Sequence, residues 1–171
     1  NAHDVAYTVT ILTCTGNNFA AKTHRRASDG SLFTDGFNAG KYFDYEDVAF
    51  DNLNCLLDVI TETSADPTKF MIRGCLRADA PQRGDGRVRR CNRKQADGEE
   101  PYFAETDRSW AMIDFDKVEN PENFPAASIE AMTYLQTLLP PEFHDVECIY
   151  SLSSSAGLSD SDRISGHLWF V

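Results

Sequence analysis

Two hydrophobic periods alternate along the chain. Residues 5–14 are dense in β-branched and aromatic side chains and run into Thr15-Gly16-Asn17-Asn18, the pattern of a strand closing in a turn. A second short strand over residues 19–26 is expected to pair with it as a hairpin, with Asp29-Gly30 and Asp35-Gly36 marking a loop beyond. From about Asp44 the period lengthens. Ala49, Leu53, Leu56, Leu57 and Ile60 fall at i, i+4, i+7, i+8 and i+11, the apolar stripe of an amphipathic helix. Asp66-Pro67 ends that segment, and residues 69–76 read as a strand. Residues 77–101 carry Gly, Pro and charge without a period, so they read as an exposed loop or a loosely ordered hairpin.

The second half repeats the alternation. Residues 108–116 form an apolar strand ending in aspartates, and a helix follows over about residues 126–139. Ile129, Met132, Leu135 and Leu139 face inward on it, and Pro125 stands near its first turn. Pro140-Pro141 stops the helix, and residues 146–151 and 164–171 are two further strands. This order predicts an α+β fold, a mainly antiparallel sheet with flanking helices. The expected organisation is one domain over residues 1–171, made of an N-terminal α/β unit with a basic loop (1–100) and a second unit (101–171).

Composition narrows the class. At 171 residues, 42% hydrophobic and 25% charged, the chain can bury a core and needs no disulfide support. It has no apolar run of membrane-spanning length and no signal-peptide pattern, so a cytoplasmic protein without a membrane partner is expected. Cys14, Cys55, Cys75, Cys91 and Cys148 are odd in number, and none forms a Cys-x-x-Cys pair; reduced thiols are expected. A net charge of −11 argues against a surface that coats nucleic acid throughout. Positive charge is nevertheless concentrated, in Arg77, Arg83, Arg87, Arg89, Arg90, Arg93 and Lys94 and again in Lys22, His24, Arg25 and Arg26. The first cluster reads either as a solvated loop or as a template-backbone contact.

The chemistry-bearing stretch is Ala111-Met112-Ile113-Asp114-Phe115-Asp116, entered through Trp110. Side chains two apart on a strand share a face, about 7 Å apart at Cα, so Asp114 and Asp116 can converge on metal. Oxygen ligands favour Mg²⁺ or Mn²⁺, and two such ions support in-line nucleotidyl transfer. A strand that merely enters a polar turn is the plainer reading. A second stretch begins with Ser151-Leu152-Ser153-Ser154-Ser155 and leads into Arg163-Ile164-Ser165-Gly166-His167-Leu168-Trp169-Phe170. Hydroxyls, an Arg and a His supply donors to a phosphate. Ser165 and His167 share a strand face; an ordinary hairpin with a structural histidine is the alternative.

Together the two stretches resemble the archaeo-eukaryotic primase superfamily, which includes primase-polymerases of plasmids, phages and mobile elements. In that family a hydrophobic-Asp-hydrophobic-Asp strand carries metal ligands, here Asp114 and Asp116, and a Ser-x-His strand binds the incoming nucleotide, here Ser165 and His167. The resemblance implies an RNA-recognition-motif-like catalytic unit and two Mg²⁺ or Mn²⁺ ions. The implied activity is templated nucleotidyl transfer by a DNA primase or primase-polymerase in replication. The implied catalytic set is Asp114, Asp116 and His167, with Ser165, Arg163, Ser155 and Arg73 as further nucleotide or phosphate contacts. Single-stranded DNA template and nucleoside triphosphates are the expected partners, and a helicase domain or protein is the expected companion in the parent. The resemblance implies a third motif, an acidic residue on a later strand that completes the metal site, which is expected beyond Val171. Two rivals stay open. A non-catalytic single-stranded nucleic-acid binder would stack bases on Phe115, Trp169 or Phe170. A rolling-circle nuclease would need a second histidine beside His167.

Overall fold

A computed structural model describes residues 7–154, 156, 158 and 162–171. Ser155 and the first two residues expected in the opening strand lie outside the described residues. The chain forms two compact units, Asn1–Arg108 and Ser109–Val171, and all strand pairings among the described residues are antiparallel. The fold is α+β with mainly antiparallel sheets and two α-helices among the described residues.

In the first unit, β1 (Tyr7–Cys14) is followed by a hairpin of β2 (Thr23–Arg26) and β3 (Leu32–Asp35), then by β4 (Tyr42–Phe50). The expected pairing of β1 with the second strand does not occur. β4 takes that edge along its whole length, from Tyr7 opposite Phe50 to Cys14 opposite Phe43, while β2 pairs with β3. Local turn chemistry decides this. The Asp29 carboxylate accepts from the Ser31 amide at 2.9 Å and Gly30 takes φ +85°, so the chain reverses there at little cost. β4 also corrects the helix boundary. Its acid-rich middle hid a strand whose buried residues are Phe43 and Phe50 near its ends, so Ala49 is a strand residue. The helix α1 (Leu53–Ala65) starts only where Asn52 caps it by accepting from the Cys55 amide at 3.0 Å, and it buries Leu56, Ile60 and Thr63. Leu57, expected inward, is exposed.

The expected strand 69–76 divides at Arg73-Gly74 into β5 (Lys69–Ile72), which joins β1, and β6 (Cys75–Leu76). Beyond it come β7 (Val88–Arg89), on the edge of β4, and β8 (Phe103–Ala104), paired with β6. The main sheet has the order β5-β1-β4-β7. The stretch 77–101 is more than an exposed loop. It sends Ala80, Val88 and Cys91 into a core with Leu12, Cys14, Phe43, Tyr102 and Phe103. Single apolar residues at irregular spacing carry no period, which is why the sequence pattern conceals them.

The second unit is β9 (Ala111–Glu119), α2 (Ile129–Thr137), a 3₁₀ turn (Pro141–Phe143), β10 (Ile149–Leu152) and β11 (Arg163–Phe170). Its sheet has the order β10-β11-β9. One face packs on α2 through Phe115, Ile164, Leu168 and Phe170 against Ala131 and Leu135. Each fully buried aliphatic side chain there contributes about 1.5–3 kcal/mol. Ser128 caps α2 by accepting from the Ala131 amide at 3.2 Å, so the helix begins later than expected and Ile129, in its first turn, points to solvent. All five cysteines are free thiols. Among the described residues no helix is long and apolar enough to cross a membrane.

Candidate active site

The two motifs, about fifty residues apart in sequence, meet on the sheet face opposite α2. β9 and β11 are neighbours, and His167 stands directly across from Asp114. The imidazole Nε2 lies 3.4 Å from the Asp114 carboxylate. The ladder shifts register between Ile164 and Gly166, a bulge in β9 that sets Asp116 and Lys117 opposite the single residue Ser165. Its hydroxyl accepts from the Lys117 amide at 2.9 Å and lies 3.4 Å from Asp116 Oδ1 as donor. Lys117 itself takes φ +54°, a left-handed conformation that non-glycine residues adopt at some cost. The bulge and this turn of the backbone bring the serine beside the second carboxylate.

Ser151 on β10 completes the surroundings of the imidazole, a residue the sequence reading quoted but did not single out. Its hydroxyl accepts from the Trp169 indole N–H at 3.0 Å and lies 3.4 Å from His167 Nδ1. With one lone pair engaged by the indole, the Ser151 proton is free to point at Nδ1. The Asp114 carboxylate can only accept, so a ring hydrogen on Nε2 faces it, and the Ser151 hydroxyl can donate to Nδ1. The Ser-rich start of the second motif was the signal, read two to four residues too late.

Gly166 is required where it stands. A Cβ there would meet a Tyr150 ring carbon at 2.7 Å and the Ser151 carbonyl at 2.9 Å. Glycine lets the Tyr150 ring cover the core side of the strand, so Ser165 and His167 are presented on the other.

Asp114 and Asp116 are exposed, His167 is partly buried and Ser165 is buried at 8%. The donor set fits a hard divalent cation, since it offers two exposed carboxylates on one face with no thiolate beside them. Among the described residues no group of three His, Cys, Asp or Glu converges on one point. The described chain therefore offers two carboxylates, and other oxygens must complete any coordination shell.

The remaining expected contacts lie elsewhere. Arg163 opens β11 opposite Glu119, pairs with it at 3.7 Å and donates to the Lys117 carbonyl at 3.3 Å. It stands four residues, about 13 Å along the strand, from His167. Arg73 belongs to the first unit, at the break between β5 and β6. Arg108 holds that break by donating to the Arg73 carbonyl at 3.0 Å and to the Gly74 carbonyl at 3.2 Å. Arg73 lines a groove of about 1010 Å³ with Arg90, Asn92, Phe103, Glu105 and Asp107. Arg90 leans over the Phe70 ring at 5.3 Å. Neither guanidinium joins an ion pair among the described residues.

The chain matches no protein-family model, no curated protein and no solved structure.

Proposed function

We propose that this chain is a metal-dependent nucleotidyltransferase of the primase-polymerase type, which makes or extends primers on a single-stranded DNA template. One observation carries the reading: Asp114 and His167, from motifs far apart in sequence, are directly opposed on adjacent strands, with Asp116 and Ser165 beside them on the same face. The β9-α2-β10-β11 order with the sheet order β10-β11-β9 supports it further. These are the first four elements of the β-α-β-β-α-β motif to which RNA-recognition-motif folds belong.

Asp114 and Asp116 would hold Mg²⁺ or Mn²⁺, with substrate phosphates and water supplying the other oxygens. When bound, the ions supply charge neutralisation at the α-phosphate and lower the pKa of the attacking 3′-hydroxyl. His167, with its hydrogen on Nε2, donates to a triphosphate oxygen on the solvent side of Asp114. The Asp114 carboxylate and the Ser151 hydroxyl keep the ring in that tautomer and orientation. Ser165 positions Asp116 for metal and nucleotide by giving its single hydroxyl proton to that carboxylate. Arg163 and Ser155 remain outer phosphate contacts. Arg73, with Arg90, takes template phosphate in the groove of the first unit. Catalysis is then mostly positioning and electrostatic stabilisation.

The binding-module alternative loses its platform, because Phe115, Trp169 and Phe170 are all buried. The experiment that tests the proposal is a templated incorporation assay with Mn²⁺, a primed single-stranded template and labelled nucleoside triphosphates. It is accompanied by an anomalous-scattering search for Mn²⁺ at Asp114 and Asp116. Incorporation with metal at both aspartates supports the reading; no incorporation and no metal there would refute it.

A further inference from the structure

Phe19, Phe33 and Phe37 are 52%, 58% and 55% exposed, whereas Phe43, Phe50 and Phe103 of the same unit are buried. All three sit in or beside the β2–β3 hairpin. Such rings gain about 1.5–3 kcal/mol each when buried, so three left in water within nineteen residues mark a surface that something else covers. The hairpin is a two-stranded sheet of its own, and most of its residues are exposed. Its base is fixed. The Phe19 amide donates to the Asn38 carbonyl at 2.9 Å, and the Ala20 amide to the Pro67 carbonyl at 2.8 Å.

The charge around these rings says what covers them. Residues 19–37 hold three cations, Lys22, Arg25 and Arg26, against two carboxylates, Asp29 and Asp35, in a chain of net charge −11. Arg25 stands directly across from Phe33, so the ring and the guanidinium share one face. Arg25, Arg26, Ala27, Phe33 and Asp35 enclose a notch of about 410 Å³. Arg25 is ion-paired with Asp35, and Arg26 donates to the Gly30 carbonyl and joins no ion pair among the described residues. Rings that offer a flat face, set among cations on a mostly exposed two-stranded sheet, suit unstacked bases joined by phosphates. A duplex hides the faces of its bases and cannot use them.

We infer that the β2–β3 hairpin is a docking arm for single-stranded nucleic acid. A base stacks on Phe33, Phe19 and Phe37 extend the platform, and Arg26 and Lys22 take the adjoining phosphates. The inference rests on the nucleic-acid part of the function proposed above and not on its catalysis.

The test is fluorescence anisotropy of a labelled oligothymidylate, about 12 nucleotides long, with the whole chain in EDTA across a salt series. Omitting metal keeps the result separate from the site at Asp114 and Asp116. Phe33→Ala is expected to weaken binding about ten-fold with an unchanged salt slope, because stacking releases no counterions. Arg26→Gln is expected to weaken binding and to lower the log–log salt slope by about 0.7, one phosphate contact on a single strand. Asp35→Asn, which frees Arg25, is expected to tighten it. All three positions are exposed, and circular dichroism confirms that the variants keep the fold. No binding by the intact chain, or equal affinity in all four proteins, would overturn the inference. So would sedimentation as a dimer that Phe33→Ala disperses, with no oligonucleotide bound; the rings would then cover a second copy of the chain.

Discussion

The stretch 77–101 and the open face of β9 and β11 are both rich in charge, and they use it in opposite ways. In the first, five of the seven cations have an acid beside them. Arg77 pairs with Asp79 at 2.7 Å, Arg83 with Asp85 at 3.1 Å and Arg87 with Asp44 at 3.4 Å. Arg89 reaches Asp97 at 2.9 Å and Glu99 at 2.7 Å, Lys41 reaches Asp97 at 2.7 Å, and Lys94 pairs with Glu100. The Tyr102 hydroxyl, at the bottom of this network, donates to Glu99 at 2.9 Å. On the second face, two carboxylates stand exposed, with an imidazole beside one and a hydroxyl beside the other, each at 3.4 Å. Charge answered from within the chain organises a loop that has little secondary structure. Charge left nearly unanswered is available to a ligand. Density of arginine in a sequence therefore says little until its partners are counted.

The sharpest way to break this contrast is Asp114→Asn. An exposed carboxylate that faces the His167 imidazole at 3.4 Å across the ladder should be removable with the melting temperature nearly unchanged, while nucleotide incorporation falls by about 10²–10³-fold or more. A loss of stability equal to the loss of activity would show the carboxylate to be structural. Gly166→Ala comes next. The added methyl must displace the Tyr150 ring or the Ser151 backbone, at a cost of about 1–3 kcal/mol in a urea titration, and incorporation should fall with it because Ser165 and His167 move too.

The loop network should fail at both ends of the pH scale. Hydrogen bonding from Lys41 and the neighbouring Glu99 amide holds Asp97 down at about 2. Its contribution is complete above the ordinary carboxylate value near 3.8 and is lost as pH falls from there toward 2. Burial, with the hydrogen bond to Glu99, pushes Tyr102 up to about 12. That contribution is complete below the ordinary phenol value of 10 and is lost as pH rises through 12. Urea midpoints across the range should therefore fall at both edges. The smallest effect belongs to Arg83→Gln. Its guanidinium is committed to Asp85 and to the Tyr42 ring at 3.8 Å, so oligonucleotide affinity and its salt slope should not change. A reduced slope would mean that the ion pair opens to phosphate.

Much of the second unit was legible in the sequence, because each of its elements has one period and one clean boundary. The aspartate strand, the helix and the Ser-Gly-His strand all form, the first two starting three residues later than the alternation suggests, and the two motif strands prove to be neighbours. Ile129 and Ser151 escaped for local reasons, a cap two residues later than the prolines suggest and a hydroxyl that touches the imidazole from a third strand. The first unit was less legible. Its longest partner strand, Tyr42–Phe50, carries three acids among nine residues, and its polar middle faces solvent. Propensity alone reads such a segment as the approach to the helix that follows. The pairing of β1 with β4 rather than β2 is a long-range choice, settled by eight ladder pairs against a turn that closes locally.

The direct opposition of Asp114 and His167 also bears on how the chain finds its fold. Side chains on a strand alternate between faces, so a slip of β9 by one residue would drive both aspartates into the apolar layer of Leu135 and Leu168 and expel Phe115 to water. Burying an unpaired carboxylate is among the costlier errors a folding chain can make. The two residues offered to metal thus also proof-read the sheet, rejecting the odd register slips that would turn them inward.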